Sequence, residues 1–110
     1  MNLISTAHEN GTLNFFDFTA NKVVKNIGDA HSDGISSVVF SNSGLHMITG
    51  CHNGSLKVWD VRTYKCVSEL KEAHLRKYDE GVMCIATHQS MPFFATGGAD
   101  SIINIFELYV

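Results

Sequence analysis

Short runs of apolar and β-branched residues, separated by turn residues, recur along the whole chain. Four of them lie in the middle of the chain: "ISSVVF", "LHMIT", "SLKVWD" and "KCVSEL", at residues 35–40, 45–49, 55–60 and 65–70. No segment has the 3.6-residue spacing of apolar positions that is typical of an amphipathic helix. Glycine-containing turns lie between the first three runs, as in antiparallel strands joined by tight turns, and a short polar segment leads to the fourth. The pattern predicts an all-β chain of short antiparallel strands.

The strand pattern is repeated. A shift of 43 residues places Asn10-Gly11 on Asn53-Gly54, and a further shift of 47 places Thr49 on Thr96. An Ala-His pair stands before the second and the third copy, at His31 and His74. Four strands in a repeat of about 43 residues is the pattern of a β-propeller blade.

These residues resemble the WD-repeat family of β-propellers. The family marks are Ala-His before the first strand, Thr-Gly at the end of the second and Trp-Asp at the end of the third, here Ala30-His31, Thr49-Gly50 and Trp59-Asp60. The resemblance implies an all-β, incomplete WD40 β-propeller of about two and a half four-stranded antiparallel blades. We expect an incomplete blade at 1–29, a complete blade at 30–72 and a last blade at 73–110 without its outer strand.

The resemblance also implies a side-chain network within each blade. In this family a histidine before the first strand contacts an aspartate in the turn after the second strand. It also contacts a Ser/Thr of the second strand, which bonds the tryptophan N–H of the third. The matching positions are His31, Thr49, Asn53 and Trp59 in the middle blade, and His74, Thr96 and Asp100 in the last.

Neither network matches the family in full. Asn53 stands in place of the aspartate, so we expect a weaker bond to His31 and a gain in stability from Asn53→Asp. Phe106 stands in place of the tryptophan of the last blade and has no N–H. We expect the blades to be held together mainly by apolar packing.

Residues 66–106 are similar to the C-terminal end of striatin-family proteins. The lengthened loop "AHLRKYDEG" and the turn "TGGAD" carry this resemblance. It implies a non-enzymatic, cytoplasmic scaffold that gathers a type 2A protein phosphatase and germinal-centre-class kinases. It also implies a coiled coil and a calmodulin-binding segment, and neither is in this sequence. The alternatives are another WD-repeat adaptor, namely a ubiquitin-ligase substrate receptor, a trafficking factor or a ribosome-biogenesis factor, and an enzyme built on a propeller.

The loop at residues 71–81 is the candidate partner-binding segment. It carries Arg76, Lys77, Tyr78, Asp79 and Glu80. Arg and Tyr are frequent interface anchors, and loops often carry recognition. A solvated loop with weak internal ion pairs is the alternative interpretation.

Composition and charge narrow the range of functions. The 110 residues suffice for one domain, and a net charge of −3 offers no basic field for nucleic acid. No apolar run is long enough to span a bilayer, and the N-terminus has no signal-peptide pattern, so we expect a reducing compartment. Three cysteines (Cys51, Cys66 and Cys84) are then free thiols, the last two in strands and commonly buried at such positions.

The remaining motifs do not indicate a modification, metal or phosphate-binding site. Two Asn-Gly-Ser/Thr sequences, at Asn10 and Asn53, fit a glycosylation acceptor but are better explained as turns. The histidines and cysteines lack zinc-ligand spacing, and Gly97-Gly98 lacks the lysine of a phosphate loop. The sequence predicts no metal, no cofactor and no catalytic residue.

The repeat count does not complete a ring of four to eight blades. We therefore expect a C-terminal piece of a longer protein or a truncated reading frame. Each blade buries its faces against its neighbours, so the two end blades would expose apolar faces and the edge "SIINIF", residues 101–106. We expect the isolated chain to self-associate.

Overall fold

The computed structural model describes residues 3–77 and 80–108, which form ten β-strands in three sheets and, within those ranges, no helix. The first sheet contains β1 (Leu3–Ala7), β2 (Leu13–Asp17) and β3 (Lys22–Ile27). The middle sheet contains β4 (Ile35–Phe40), β5 (His46–Cys51), β6 (Leu56–Asp60) and β7 (Lys65–Leu70). The last sheet contains β8 (Val82–Thr87), β9 (Phe93–Gly98) and β10 (Ile103–Glu107).

Every strand pairs antiparallel with its neighbour in sequence, so each sheet is a meander. β1 and β8 both lie beside β4, which makes the three sheets neighbours in a stack. This arrangement of short meanders confirms the prediction of an all-β, incomplete propeller. The bounds of β4 and β7 agree with the sequence runs, whereas β5 begins one residue later and continues to Cys51.

Two apolar clusters join the sheets. The cluster between the first and middle sheets contains Leu13, Phe15, Met47 and Trp59. The cluster between the middle and last sheets contains Ile48, Leu56, Val58, Val82, Ile85 and Phe94. Because strand side chains alternate between the two faces, the middle sheet contributes Met47 to one cluster and Ile48 to the other. Each sheet therefore needs its neighbour to cover an apolar face from solvent.

The Asn53-Gly54 turn also forms part of the junction between sheets. Gly54 has a φ of 91°, and its N–H donates to the Cys51 carbonyl at 3.0 Å, as predicted for a tight turn. A Cβ on Gly54 would overlap the carbonyl oxygen of His74. The His74 N–H donates to the Gly54 carbonyl at 3.1 Å, so the next repeat rests directly on this turn.

The same junction occurs one repeat earlier. The His31 N–H donates to the Gly11 carbonyl at 3.2 Å. Gly11 has a φ of 84°, and a Cβ there would overlap the His31 carbonyl oxygen. The two Asn-Gly pairs thus join consecutive sheets through backbone contacts that a larger residue would obstruct.

The cysteines differ in part from the prediction. All three are free thiols, and Cys51 is buried. Cys66 and Cys84 lie in strands as predicted, but both are exposed, so their predicted burial is wrong. Cys66 lies in β7, the outermost strand of the middle sheet, and Cys84 lies on the face of the last sheet that no other described sheet covers.

Candidate functional site

A chain of hydrogen bonds crosses the middle sheet from its third strand to the loop before its first. The Trp59 indole N–H donates to Thr49 Oγ1 at 2.9 Å. Thr49 Oγ1 lies 2.6 Å from His31 Nε2, and His31 Nδ1 lies 3.2 Å from Ser55 Oγ. All four residues are buried. The arrangement satisfies each of these buried polar groups.

The protonation of His31 follows from this network. Burial, with the nearby charge of Lys57 as a smaller cause, lowers the His31 pKa from 6.5 to about 4. The imidazole is therefore neutral at pH 7. Thr49 accepts from Trp59 and can donate its own hydrogen to Nε2, which assigns the remaining ring proton to Nδ1, facing Ser55. Each hydrogen bond of the network therefore has an assigned donor and acceptor: Trp59 donates to Thr49, Thr49 donates to His31, and His31 donates to Ser55.

Asn53 does not take the place of the family aspartate. Its amide donates to Ser32 Oγ at 3.1 Å, and its Oδ1 accepts the Ser55 backbone N–H at 2.9 Å. The predicted contact with His31 is wrong, because Ser55 Oγ occupies the position facing Nδ1. Sequence reasoning missed Ser55. The signal available was a hydroxyl residue directly after the turn glycine, where the last repeat has Ile102.

Ser55→Ala is expected to lower the free energy of unfolding by about 1–3 kcal/mol, because it leaves the buried His31 Nδ1–H without an acceptor. Urea denaturation monitored by Trp59 fluorescence measures the change. Asn53→Asp is the matched comparison, since it keeps the oxygen that Ser55 N–H needs. An Asn53→Asp gain in stability, with Ser55→Ala neutral, would contradict this assignment.

The corresponding network of the last sheet contains a carboxylate. His74 Nδ1 lies 3.0 Å from Asp100 Oδ1, and His74 Nε2 lies 2.8 Å from Thr96 Oγ1. Asp100 also accepts the backbone N–H groups of Leu75 and Ile102, at 3.0 and 3.1 Å. Burial raises the Asp100 pKa, but the bonds from His74 and the two N–H groups outweigh it and lower the pKa below 3.8. Asp100 therefore fixes both the turn and the loop before β8.

The first sheet carries a different set of polar side chains at the position equivalent to these two networks. His8 Nε2 lies 3.2 Å from both Thr6 Oγ1 and Asn14 Nδ2. Thr6 matches Thr49 and Thr96, but its histidine comes from the turn after β1 rather than from a preceding loop. These three side chains are on the sheet face away from the middle sheet.

Stability is expected to fall as the pH falls from 6.5 to about 4, because the unfolded chain takes up a proton at His31 in this range and the folded chain does not. The Asp100 contribution is lost only below 3.8, where that carboxylate protonates. Urea midpoints measured across this range give the profile. His31→Gln, which cannot titrate, should show a flatter profile between pH 4 and 6.5; an unchanged slope would contradict the assignment.

An ion pair joins the loops that precede β4 and β8. Arg76 Nη1 lies 2.8 Å from Asp33 Oδ2. The Gly34 N–H and, more weakly, the Arg76 charge lower the Asp33 pKa, although burial opposes them. Asp33 and Arg76 each stand two residues after a network histidine. That shared offset, with opposite charges, was the sequence signal for Asp33, which the prediction missed.

The candidate partner-binding loop contains Arg76 of this pair. Lys77 and Glu80 exchange two backbone hydrogen bonds, of 2.7 and 2.9 Å. The Ala99 N–H donates to the Gly81 carbonyl at 2.9 Å and ties the loop end to the β9–β10 turn. Tyr78 and Asp79 lie outside the described residues. The loop thus presents mixed charges beside Asp33 on the side of the sheets where the His31 and His74 loops lie.

A polar groove lies over the middle sheet, and the charge of Lys57 in its lining already has partners within the fold. Lys57, one of its lining residues, donates from Nζ to the Ala30 carbonyl at 2.6 Å and lies 3.8 Å from Glu69. No group of three metal-ligating side chains comes together in residues 3–77 and 80–108. Within those same ranges there is no helix long and apolar enough to cross a membrane. The Asp33–Arg76 surface is the candidate site, since both side chains are partly exposed.

Comparison with known proteins agrees with the repeat pattern. The family described as "WD domain, G-beta repeat" matches residues 21–60 and 64–107. Each match begins just before the outer strand of one sheet and ends at the third strand of the next, β3 to β6 and β7 to β10. Sequence repeats and sheets are therefore offset by one strand, which links consecutive sheets covalently.

Several curated proteins are similar over most of this chain. A striatin homolog of Dictyostelium discoideum is 40% identical over 107 residues, which cover 97% of this chain and 13% of that protein. Striatin-3 of Homo sapiens is 33% identical over 101 residues, with coverages of 92% and 12%. Striatin of Homo sapiens is 30% identical over 101 residues, with coverages of 92% and 13%. The chain spans only a small part of the length of each relative.

Proposed function

The chain belongs to the WD domain, G-beta repeat family, and from that premise we propose that it is a non-enzymatic platform for protein–protein interaction. More specifically, it is part of the propeller of a striatin-like cytoplasmic scaffold that organises phosphatase and kinase assemblies. The similarity to striatin and striatin-3 over most of the chain supports this proposal. The partners are protein subunits, with a type 2A phosphatase and germinal-centre-class kinases as the candidates.

The observation that carries the proposal is the charged surface around Asp33 and Arg76. Two loops from different sheets meet there through a 2.8 Å ion pair, with Lys77 and Glu80 beside it. Both members of the pair are partly exposed. Such rim charges contribute little to folding and more to partner selection and association rate. A rigid sheet stack that presents charged loops suits recognition of another protein.

Binding to purified partners tests the proposal. The immobilised chain is titrated with a 2A phosphatase core enzyme and, separately, with a germinal-centre-class kinase. We expect one of them to bind, and Arg76→Glu with Lys77→Glu to weaken binding at least about tenfold, equivalent to 1.4 kcal/mol. Lys22→Glu with Lys25→Glu on β3 makes the same charge change elsewhere and should leave binding unchanged.

A charge swap separates recognition from folding. Asp33→Arg with Arg76→Asp keeps an ion pair between the two loops but reverses the charge at each position. The swap also removes the Gly34 N–H bond to Asp33, of 2.7 Å, so unfolding should change by no more than about 0.5–1.5 kcal/mol. The proposal predicts that binding weakens by more than this. Binding that is insensitive to both the charge reversal and the swap would remove this surface from the account, and no binding to either enzyme would overturn the phosphatase–kinase assignment.

A further inference from the structure

The last sheet has a carboxylate at the position where the middle sheet has an amide. Asp100 Oδ1 lies 3.0 Å from His74 Nδ1 and accepts the Ile102 N–H at 3.1 Å. Asp100 Oδ2 accepts the Leu75 N–H, in the loop before β8, at 3.0 Å. Both oxygens of this carboxylate therefore have donors within the fold.

The amide of the middle sheet reproduces only one half of this arrangement. Asn53 Oδ1 accepts the Ser55 N–H at 2.9 Å, which fixes the orientation of the amide. Where Asp100 has its second oxygen, Asn53 has its NH2 group, 3.1 Å from Ser32 Oγ. That nitrogen donates and does not accept. Within residues 3–77 and 80–108, the Ser32 N–H, which matches the Leu75 N–H, therefore has no acceptor.

Ser55 contributes a second donor at the same place. Its Oγ accepts the proton of His31 Nδ1, so the hydrogen of its own hydroxyl group is left to donate, and the described part of the chain offers it no acceptor. The Ser55 side chain is buried, with 4% of its residue surface exposed. Ser32, Asn53 and Ser55 all line the groove over the middle sheet, which has a volume of about 580 Å³.

The charges that line this groove are balanced. They are two lysines and two carboxylates: Lys57, Lys71, Asp29 and Glu69. Lys57 Nζ donates to the Ala30 carbonyl at 2.6 Å, whereas Glu69 lies 3.8 Å away, beyond hydrogen-bond distance. An ammonium group has three hydrogens, so Lys57 retains donors for a further acceptor. Because Asp29 and Glu69 are close by, the groove suits a ligand with a single negative charge better than a phosphate.

We propose that the groove binds the carboxylate of an aspartate or glutamate side chain of a partner protein. The ligand carboxylate accepts the Ser32 N–H and the Ser55 O–H, and the Lys57 charge lies beside it. It thereby takes the place that Asp100 Oδ2 has in the last sheet. The middle sheet obtains from a partner the acceptor that the last sheet supplies from its own chain.

This inference goes beyond the proposed function, because it assigns a ligand chemistry to a site that includes neither Asp33 nor Arg76. It requires no phosphatase or kinase, and its test uses a short peptide. Failure of the peptide to bind would leave the proposed partners untouched, and failure of those partners would leave the groove untouched.

Nuclear magnetic resonance of the 15N-labelled chain tests the proposal, with the peptide acetyl-Gly-Asp-Gly-amide as the probe. We expect a saturable, millimolar titration in which the Ser32 amide proton moves downfield, because its N–H gains a charged acceptor. The neutral peptide acetyl-Gly-Asn-Gly-amide has nearly the same shape and should leave the Ser32 amide proton unshifted.

Two substitutions remove the site in different ways. Ser55→Ala deletes the hydroxyl donor and should raise the dissociation constant of the aspartate peptide at least tenfold. Asn53→Asp places a carboxylate where Asp100 has its own, so it should also weaken binding at least tenfold, by occupying the Ser32 N–H and repelling the peptide. Asn53→Asp keeps the oxygen that the Ser55 N–H needs, so it carries the test if Ser55→Ala loses its β-sheet circular dichroism.

Two lysines provide a matched comparison of charge. Lys71→Met, in the groove, should weaken binding about threefold, in the range for an exposed charge. Lys65→Met makes the same change at the other end of β7 and should leave binding unchanged.

Four results would overturn the proposal. They are no saturation with the aspartate peptide, an equal shift with the asparagine peptide, an unchanged dissociation constant in Asn53→Asp, or equal weakening by Lys71→Met and Lys65→Met. Tighter binding of acetyl-Gly-phosphoserine-Gly-amide than of the aspartate peptide would overturn the choice of a carboxylate.

Discussion

Phe15→Ala is expected to lower the free energy of unfolding by about 3–5 kcal/mol, the range for removing a large side chain from a well-packed core. The Phe15 side chain is 0% exposed and lies in the cluster that joins the first and middle sheets. Its ring centroid is 4.9 Å from that of Tyr64, so an aromatic contact is lost as well. A domain of ordinary stability would lose a large fraction of its free energy of unfolding.

Urea denaturation at pH 7 measures this loss. Phe18→Ala is the matched control, because Phe18 follows the same strand but is 53% exposed. It should change the free energy of unfolding by less than about 0.5 kcal/mol. Equal effects of the two substitutions would mean that the first and middle sheets do not share a core.

Thr49→Val is expected to cost about 1–3 kcal/mol for each of two buried groups that it leaves without a partner. The Trp59 N–H loses its acceptor, and His31 Nε2 loses its donor, while the side-chain volume hardly changes. In the last sheet, Thr96→Val strands only His74 Nε2, since Phe106 has no N–H. The Thr49 substitution should therefore be the more damaging of the two.

A double-mutant cycle isolates the Trp59–Thr49 bond. In a Trp59→Phe background the indole N–H is gone, so Thr49→Val should cost less than it does in the wild-type chain. Far-ultraviolet circular dichroism follows unfolding in all four chains, because tryptophan fluorescence is lost in two of them. Additive effects, or a Thr96→Val cost equal to that of Thr49→Val, would contradict the directed network in the middle sheet.

Local sequence signals were sufficient for the strands and turns. β4 and β7 coincide with their apolar runs, and Asn53-Gly54 forms the expected turn, because alternation and positive φ are properties of a few neighbouring residues. The partners of the network depend on three-dimensional placement instead. Ser55 faces His31 because Asn53 turns toward Ser32, and spacing alone could not distinguish the two.

Burial was the other property that the sequence could not supply. Leu56 and Ile103 occupy equivalent strand positions, and only the sheet that follows decides which of them is covered. Cys84 is exposed for the same reason. The Asp33–Arg76 pair likewise joins residues 43 positions apart that meet only when consecutive sheets stack. Strands and turns within one repeat were predictable, whereas the partners of the side-chain network and the contacts between repeats required the structure.

The central claim is that the three sheets form one stack, with each Asn-Gly turn joined to the next repeat by its histidine. Amide hydrogen exchange measured on the whole chain tests it most directly. The His31 and His74 N–H groups donate across the two junctions, to Gly11 and Gly54, and both residues are buried. The account predicts that these two amides exchange as slowly as those in the strands of the middle sheet. Exchange at the rate of an open loop, with the strand amides still protected, would show sheets that fold separately and would contradict the stack.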